Sequence, residues 1–377
     1  MGVPVITLSA CGEITKGGKY VVTSDLRSAN DKPCLNIHDA TDVRVNCGQH
    51  ALVGDPAVGL KNVSGLSIEG CTVDAIETGF RMMEGSSVTN ATFTNNVFGT
   101  EILSAGRTHI ATVRIDTGSN ISFSKNLVYG AFDLYTLSST SITDNTFSLG
   151  HALSETTSPF IAANININNG HGNKIIGNSI NGGSDGIYRG ISNVIGADDG
   201  ISFDSQVDLT VERNMISNVW DCGIEGSGDL INGKISSNTI KNAGVCGIGA
   251  WYDSSIEHST FSDNTVDDSP KMFEFYWKKA VKDQTTIFFR DNTFQNNKII
   301  NPRLNKASGA YDGDMFNFTG IKNLIATNNI FIGNDFSTVT EPPYMNPSTL
   351  AVDGGGNVCK DLGPRFSKFN NPLKCGQ

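Results

Sequence analysis

The chain has 377 residues, among them 41 glycines and 8 cysteines, and carries a net charge of −10. That charge argues against a nucleic-acid partner, whose phosphates are met by Lys and Arg, and no apolar run approaches the roughly 18 residues needed to cross a membrane. No C-x-x-C pair or P-loop occurs, so neither a zinc site nor a nucleotide-phosphate site has a motif to rest on.

The opening MGVPVITLSA lacks a basic segment followed by a long apolar core. The expectation is a secreted chain whose signal has been removed, with Met1-Gly2 as an added start. Residues 1–40 contain strand-like pieces (VPVITL, KYVVTSDL, CLNIHD) between glycine and polar turns. They are expected to form an N-terminal cap, because the first coil of a repeat stack exposes an open apolar end.

From 41 to 335 one phrase recurs: an alternating strand, an Asn or Cys, then two residues ending in an apolar one. It carries Cys47, Cys71, Asn96, Asn126, Asn145, Asn178, Asn214, Asn238, Asn264, Asn292 and Asn329. Period-2 alternation before the Asn is strand chemistry. The Asn suits a tight bend, tolerates the left-handed region and can bond the same amide one rung away. Asn214 and Asn238 are 24 residues apart, as are Cys222 and Cys246, and Cys47 and Cys71. A period in this range signals a solenoid, in which each coil needs only its neighbours. A second ladder follows the bend, with Gly200-Ile201, Gly223-Ile224 and Gly247-Ile248 and then Phe273 and Phe316. Two sheets per coil are therefore predicted, and the coil length implies a third. Residues 336–377 are rich in Pro and Gly and are expected to be a C-terminal tail packed back on the stack.

Rungs about 4.8 Å apart lie within disulfide reach. Bridges are predicted for Cys47–Cys71 and Cys222–Cys246, with Cys11–Cys34 and Cys359–Cys375 closing the ends. Such bridges imply an oxidising, extracellular location.

Coils of this size with Asn ladders resemble the right-handed parallel β-helix of the pectate-lyase-like superfamily, over roughly residues 10–335. The stretch CGEITKGGKYVVTSDL…CLNIHDATDVRVNCGQHALVG is similar to the start of many secreted β-helix proteins of that group. The fold expected is thus all-β, one right-handed parallel β-helix of about eleven coils.

If Ile201, Ile224, Ile248 and Phe273 point inward, then Ser202, Glu225, Gly249 and Glu274 point outward on successive rungs. Two rungs place the Cβ atoms of Glu225 and Glu274 roughly 9–10 Å apart. Inverting glycosidases hold their two carboxyls about 6.5–9.5 Å apart. Gly249 would leave room for a sugar on which Trp251 and Tyr276 could stack, with Asp204 and Asp221 at the rims. Asp198, Asp199 and all three tryptophans fall in the same coils.

The segment ADDGISFDS…VERNMISNVWDCGI resembles the polygalacturonase pattern, in which N-T-D is followed one coil later by D-D-C. That resemblance implies that Asp199 and Asp221 activate water. Trp220 stands at the place of that family's general acid, and VCGIGAW lacks its G-H-G histidine, so Glu225 or Glu274 would supply the acid. MFEFYWKKA followed by FFRDNTF resembles the chondroitinase B and alginate lyase group. There Lys279 would be the base, Glu274 a calcium ligand and Arg303 the assisting arginine. The six histidines show no metal spacing, and no metal or cofactor is expected for a hydrolase; calcium enters only with the lyase. The lead expectation is an inverting polysaccharide hydrolase with Asp199, Asp221, Glu225 and Glu274 as catalytic groups. Trp251, Tyr276, Asp204, Asp253 and Lys279 would bind substrate. A uronate lyase or epimerase, and a non-catalytic glycan-binding module, are the alternatives.

Overall fold

A computed structural model describes residues 4–29, 32–76, 81–100, 112–149, 161–187, 196–251, 254–276, 286–303, 316–319, 324–338, 344–346 and 351–359. Among them there is no helix, and the strands pair in parallel, rung upon rung. The chain divides into two compact units, Met1–Gly183 and Ser184–Gln377.

In the first unit Val5–Leu8, Gly18–Val22, Val43–Asn46 and Ser67–Glu69 are successive rungs, with Val5 against Lys19, Lys19 against Arg44 and Arg44 against Ser67. Strands within residues 5–41, where a cap was expected, thus continue the same parallel pairing. Cys11–Cys34 and Cys47–Cys71 join adjacent rungs with Cα atoms 4.5 and 4.8 Å apart. Stacked Phe93 and Phe123, with ring centroids 4.7 Å apart, belong to this unit's core.

The second unit repeats a coil of four short strands, exemplified by Cys222–Gly226, Leu230–Ile231, Lys234–Ser236 and Thr239–Ala243. The expected inward column is present: Ile201 pairs Ile224, Ile224 pairs Ile248 and Ile248 pairs Phe273. These four side chains are fully buried or nearly so. Phe261, Phe294 and Phe331 stack on successive rungs at 4.7 and 4.4 Å, the offset geometry aromatic rings prefer. The glycines of the Gly-Ile ladder let opposite walls meet. A Cβ at Gly223 would lie 2.4 Å from Ile240 Cγ2, and one at Gly247 would lie 2.2 Å from Val266 Cγ2.

The asparagine ladders are hydrogen-bonded as expected. In the first unit Asn96, Asn126, Asn145 and Asn178 are linked amide to amide. In the second unit the ladder runs Asn214, Asn238, Asn264, Asn297, Asn334 and Asn357. Two corrections follow. Asn292 and Asn329 do not belong to that ladder; they form another corner with Ser259. The left-handed residue is the one before each ladder asparagine, as at Arg213, Ser237 and Asp263 with φ of 54°, 56° and 56°. The asparagine keeps ordinary backbone geometry and spends its amide on the next rung.

The tail also differs from expectation. Val352–Asp353 pairs with Ile330–Phe331, and Val358–Cys359 pairs with Asp335–Phe336, so the pattern continues for another coil instead of ending near 335. Asn357 closes the ladder by accepting from Asn334. The expected Cys359–Cys375 bridge lies outside the described residues, because Cys375 is not among them.

Candidate active site

The candidate site lies wholly in the second unit, on the strand wall that carries the Gly-Ile ladder. Ser202 pairs Glu225, Glu225 pairs Gly249 and Gly249 pairs Glu274, so the two glutamates occupy one column with a glycine between them. Adjacent strand residues face opposite ways, and Ile224, Ile248 and Phe273 take the core side. The column is therefore on the other face, as expected.

Its exposure is not as expected. Glu225 is 8% and Glu274 4% exposed, and Asp199 is 4% exposed. Asp198, Asp221 and Trp251 are half-buried and form the solvent side of the group. The open groove read from alternation is thus a buried acidic cluster with a narrow exposed edge. Trp220, which stands at the place of the general acid in the polygalacturonase resemblance, is also buried.

A bend explains much of the packing. The paired registers pass from Cys222–Cys246 directly to Ile224–Ile248, skipping one residue. The bend brings Cys222, Cys246 and Lys271, which strict alternation would put inside, round to the glutamate face. The Cys222–Cys246 disulfide therefore packs against the site. A Cβ at Gly249 would lie 2.9 Å from Cys246 Sγ and 3.2 Å from Cys222 Sγ. The missing side chain makes room for the disulfide, where space for a sugar was expected. Cys222 Sγ also lies 3.4 Å from Asp221 Oδ1, a contact and not a hydrogen bond, since a bridged sulfur carries no proton.

Asp199 accepts the Cys222 N–H at 3.2 Å and is hydrogen-bonded to Glu225. The Asp221 N–H donates to the Asp198 carbonyl at 2.7 Å, so these two aspartates are neighbours on adjacent rungs. Among the described residues, Asp198 Oδ1 and Glu225 Oε2 are buried without a hydrogen-bond partner, an arrangement that is costly and uncommon in native interiors. Lys271, 2% exposed, places its Nζ 2.7 Å from Glu274 Oε2.

The electrostatics follow from burial and like charge. Burial pushes Asp198 up to about 7. Asp199 is raised well above the usual carboxylate range by burial, then by Glu225, Asp198 and Asp221, against the opposing Cys222 N–H. Asp221 is raised by burial, Asp198 and Glu274, with Lys271 opposing. Glu225 is raised by burial, Asp221, Asp198 and Glu274, with the Asp199 hydrogen bond opposing. Burial and mutual repulsion thus disfavour full ionisation of Asp198, Asp199, Asp221 and Glu225.

That has a measurable consequence for stability. A carboxyl raised in the folded state contributes stability that is fully present below its unfolded value, near 4, and is lost as pH rises through its folded value. For Asp198 the loss extends to about 7, and Asp199, Asp221 and Glu225 contribute losses of the same sign. The melting temperature, scanned from mildly acidic to mildly alkaline pH, should fall steadily. Asp198→Asn should flatten the part of the slope between about 4 and about 7; an unchanged slope would contradict this account.

Other expected site residues fall elsewhere. Asp204 accepts from the Ser205 hydroxyl at 2.8 Å and lies against Gly228 in the following turn. Arg303 donates to the carbonyls of Gly186 and Ala243 and faces Asp268, so it ties a turn to its coils and does not join the acids. Asp253 and Lys279, and the side chain of Tyr276, lie outside the described residues. Sequence reasoning missed Lys271 outright and gave Asp198 no role. Asp198 stands one rung from Asp221, a signal that the repeat spacing already contained.

The carboxylate oxygens of Asp221 and Glu225 and Cys222 Sγ lie within 4.8 Å of one another. The bridged sulfur cannot act as a thiolate ligand, and the Lys271 ammonium already lies beside Glu274, where the lyase reading would put calcium.

Residues 108–277 match a family model described as a right-handed beta helix region. No curated protein matches the sequence. Among solved structures, an exopolygalacturonase from Thermotoga maritima is 8% identical, with 84% of each chain covered and a TM-score of 0.55. The Dettilon tailspike protein is 14% identical over 94% of this chain and 62% of its own, with a TM-score of 0.56. The chain thus spans less than two thirds of the tailspike's length, and at these identities the likeness is one of fold. The fold is the all-β, right-handed parallel β-helix expected from the repeat.

Proposed function

We propose that this chain is a secreted carbohydrate-active enzyme that hydrolyses a polysaccharide with inversion at the cleaved carbon. The observation that carries the reading is the column Glu225–Gly249–Glu274. It puts two carboxyls two rungs apart, roughly 9–10 Å between Cβ atoms, near the spacing that admits a water between base and sugar. Their surroundings differ in charge. Glu225 shares a hydrogen bond with Asp199 and is raised by burial and neighbouring acids, which suits a proton donor to the glycosidic oxygen. Glu274 is ion-paired with Lys271, which suits a base that takes a proton from the attacking water. The water oxygen bonds to the anomeric carbon from the face opposite the leaving group, and the departing oxygen takes the proton of the acid.

Asp199 orients Glu225, and Asp221 and Asp198 line the exposed edge over which a sugar approaches Trp251. Tyr276, Asp253 and Lys279 remain proposed contacts further along the chain, whereas Asp204 is held in its own turn. Three disulfides support an oxidising, extracellular setting. The resemblance in fold to an exopolygalacturonase is in keeping with a polysaccharide substrate.

One experiment separates this reading from its rivals. A panel of neutral and acidic polysaccharides is incubated with the protein and followed both for reducing ends and for ultraviolet absorbance of an unsaturated product. New reducing ends without absorbance are expected. Absorbance would favour a lyase, and binding without either signal would favour a non-catalytic module.

A further inference from the structure

A lysine that is 2% exposed is rare unless its charge is answered. Lys271 lies in register with Cys246, on the column whose two preceding rungs are filled by the Cys222–Cys246 disulfide. Its ammonium reaches along its own strand to Glu274, and the two side chains are only 3% and 5% exposed. The contact links residues three apart, which an unbroken strand would send to opposite faces; the bend in this wall makes it available. Among the described residues no cation pairs with Asp199 or Glu225.

We propose that Lys271 is a positioning residue of this site, pairing with Glu274 and orienting it as the base, while among the described residues the Asp199–Glu225 end has no cation beside it. The role assigned to Glu274 rests on the hydrolase reading; the effect of Lys271 on Glu274 rests on the geometry alone. Among the described residues, the charged and titratable groups around the pair are Asp198, Asp199, Asp221 and Glu225, all acids. Asp221 responds to both partners in opposite senses, raised by Glu274 and lowered by Lys271. Among the described residues, Lys271 is thus the cation that sets the Glu274 end of this acidic cluster apart from the Asp199–Glu225 end.

The test compares wild type with Lys271→Met, Lys271→Arg and Glu274→Gln. In pH–rate profiles, Lys271→Met should lower kcat by about a hundredfold or more. It should also shift the acidic limb upward by about one unit or more, because a buried carboxylate without its cation protonates sooner. Lys271→Arg should keep the limb in place. A Lys271→Met enzyme with an unmoved acidic limb would overturn the inference. If Lys271→Met does not fold, Lys271→Gln carries the same comparison, since it removes the charge and keeps a polar group.

Should the wild-type protein cleave no polysaccharide, the hydrolase reading fails, and Lys271 is still judged by melting temperature against pH. The deficit of the charge-removing variant relative to wild type should shrink as acid protonates Glu274. Glu274→Gln combined with that variant should cost little more than the worse single change. A deficit independent of pH, with additive losses, would overturn the inference without reference to activity.

Discussion

Under the proposed hydrolase reading, Glu225→Gln and Glu274→Gln should each reduce polysaccharide hydrolysis by about a thousandfold or more, and the double variant should be hardly worse than either. General acid and general base each contribute roughly 10²–10⁴ to rate, and groups that act as one unit lose activity non-additively. The two variants separate in stability. Glu225→Gln relieves a raised carboxyl among Asp198, Asp221 and Glu274, so its melting temperature should hold or rise. Glu274→Gln leaves Lys271 buried beside a neutral amide; breaking a buried pair by removing one partner typically costs about 3–5 kcal/mol, so its melting temperature should fall. Full hydrolysis by both variants would remove the proposed site. Loss of activity in Glu225→Gln without loss of stability would identify chemistry and not folding as its role.

Asn238→Ala should lower stability by about 4–6 kcal/mol, a large effect for one amide. Asn238 accepts from Asn214 N and Nδ2, each at 3.0 Å, and donates to Val211 O at 2.9 Å and Asn264 Oδ1 at 3.0 Å. Asn214, Asn238 and Asn264 are all 0% exposed, so water cannot replace the lost partners. Each buried polar group left unsatisfied costs about 1–3 kcal/mol. The comparison is Asn328→Ala, which removes an exposed bond to Asp291 at 3.0 Å and should cost less than about 1 kcal/mol. Chemical denaturation of both variants beside wild type measures the difference. Similar losses in the two would mean that the ladder is ornament to the fold and not part of what holds it.

The errors in reading the sequence share a cause. Asn292 and Asn297 both sit in the strand–Asn–apolar phrase, and either could follow Asn264 by pattern. The hydrogen bond from Asn264 Nδ2 to Asn297 Oδ1 settles the matter, and it depends on how much chain the intervening loop consumes. Lys271 drew no notice in the sequence, where alternation counted from Phe273 would point it inward. One skipped position in the register reversed that parity and delivered a buried cation to the acids.

Repeat spacing, alternation and the Asn, Cys and Gly positions were enough to specify parallel coils, three of the four bridges and the shared column of Glu225 and Glu274. These are local properties, because each coil's apolar residues must stack on identical positions one period away. Burial, charge and proton occupancy were decided by the tertiary structure alone. Desolvation and Coulomb interaction act through space, so the state of Asp199 is set by Glu225, Asp198 and Asp221 around it. Two of those three belong to the next coil, and no count along the chain reveals how far they are shielded from water.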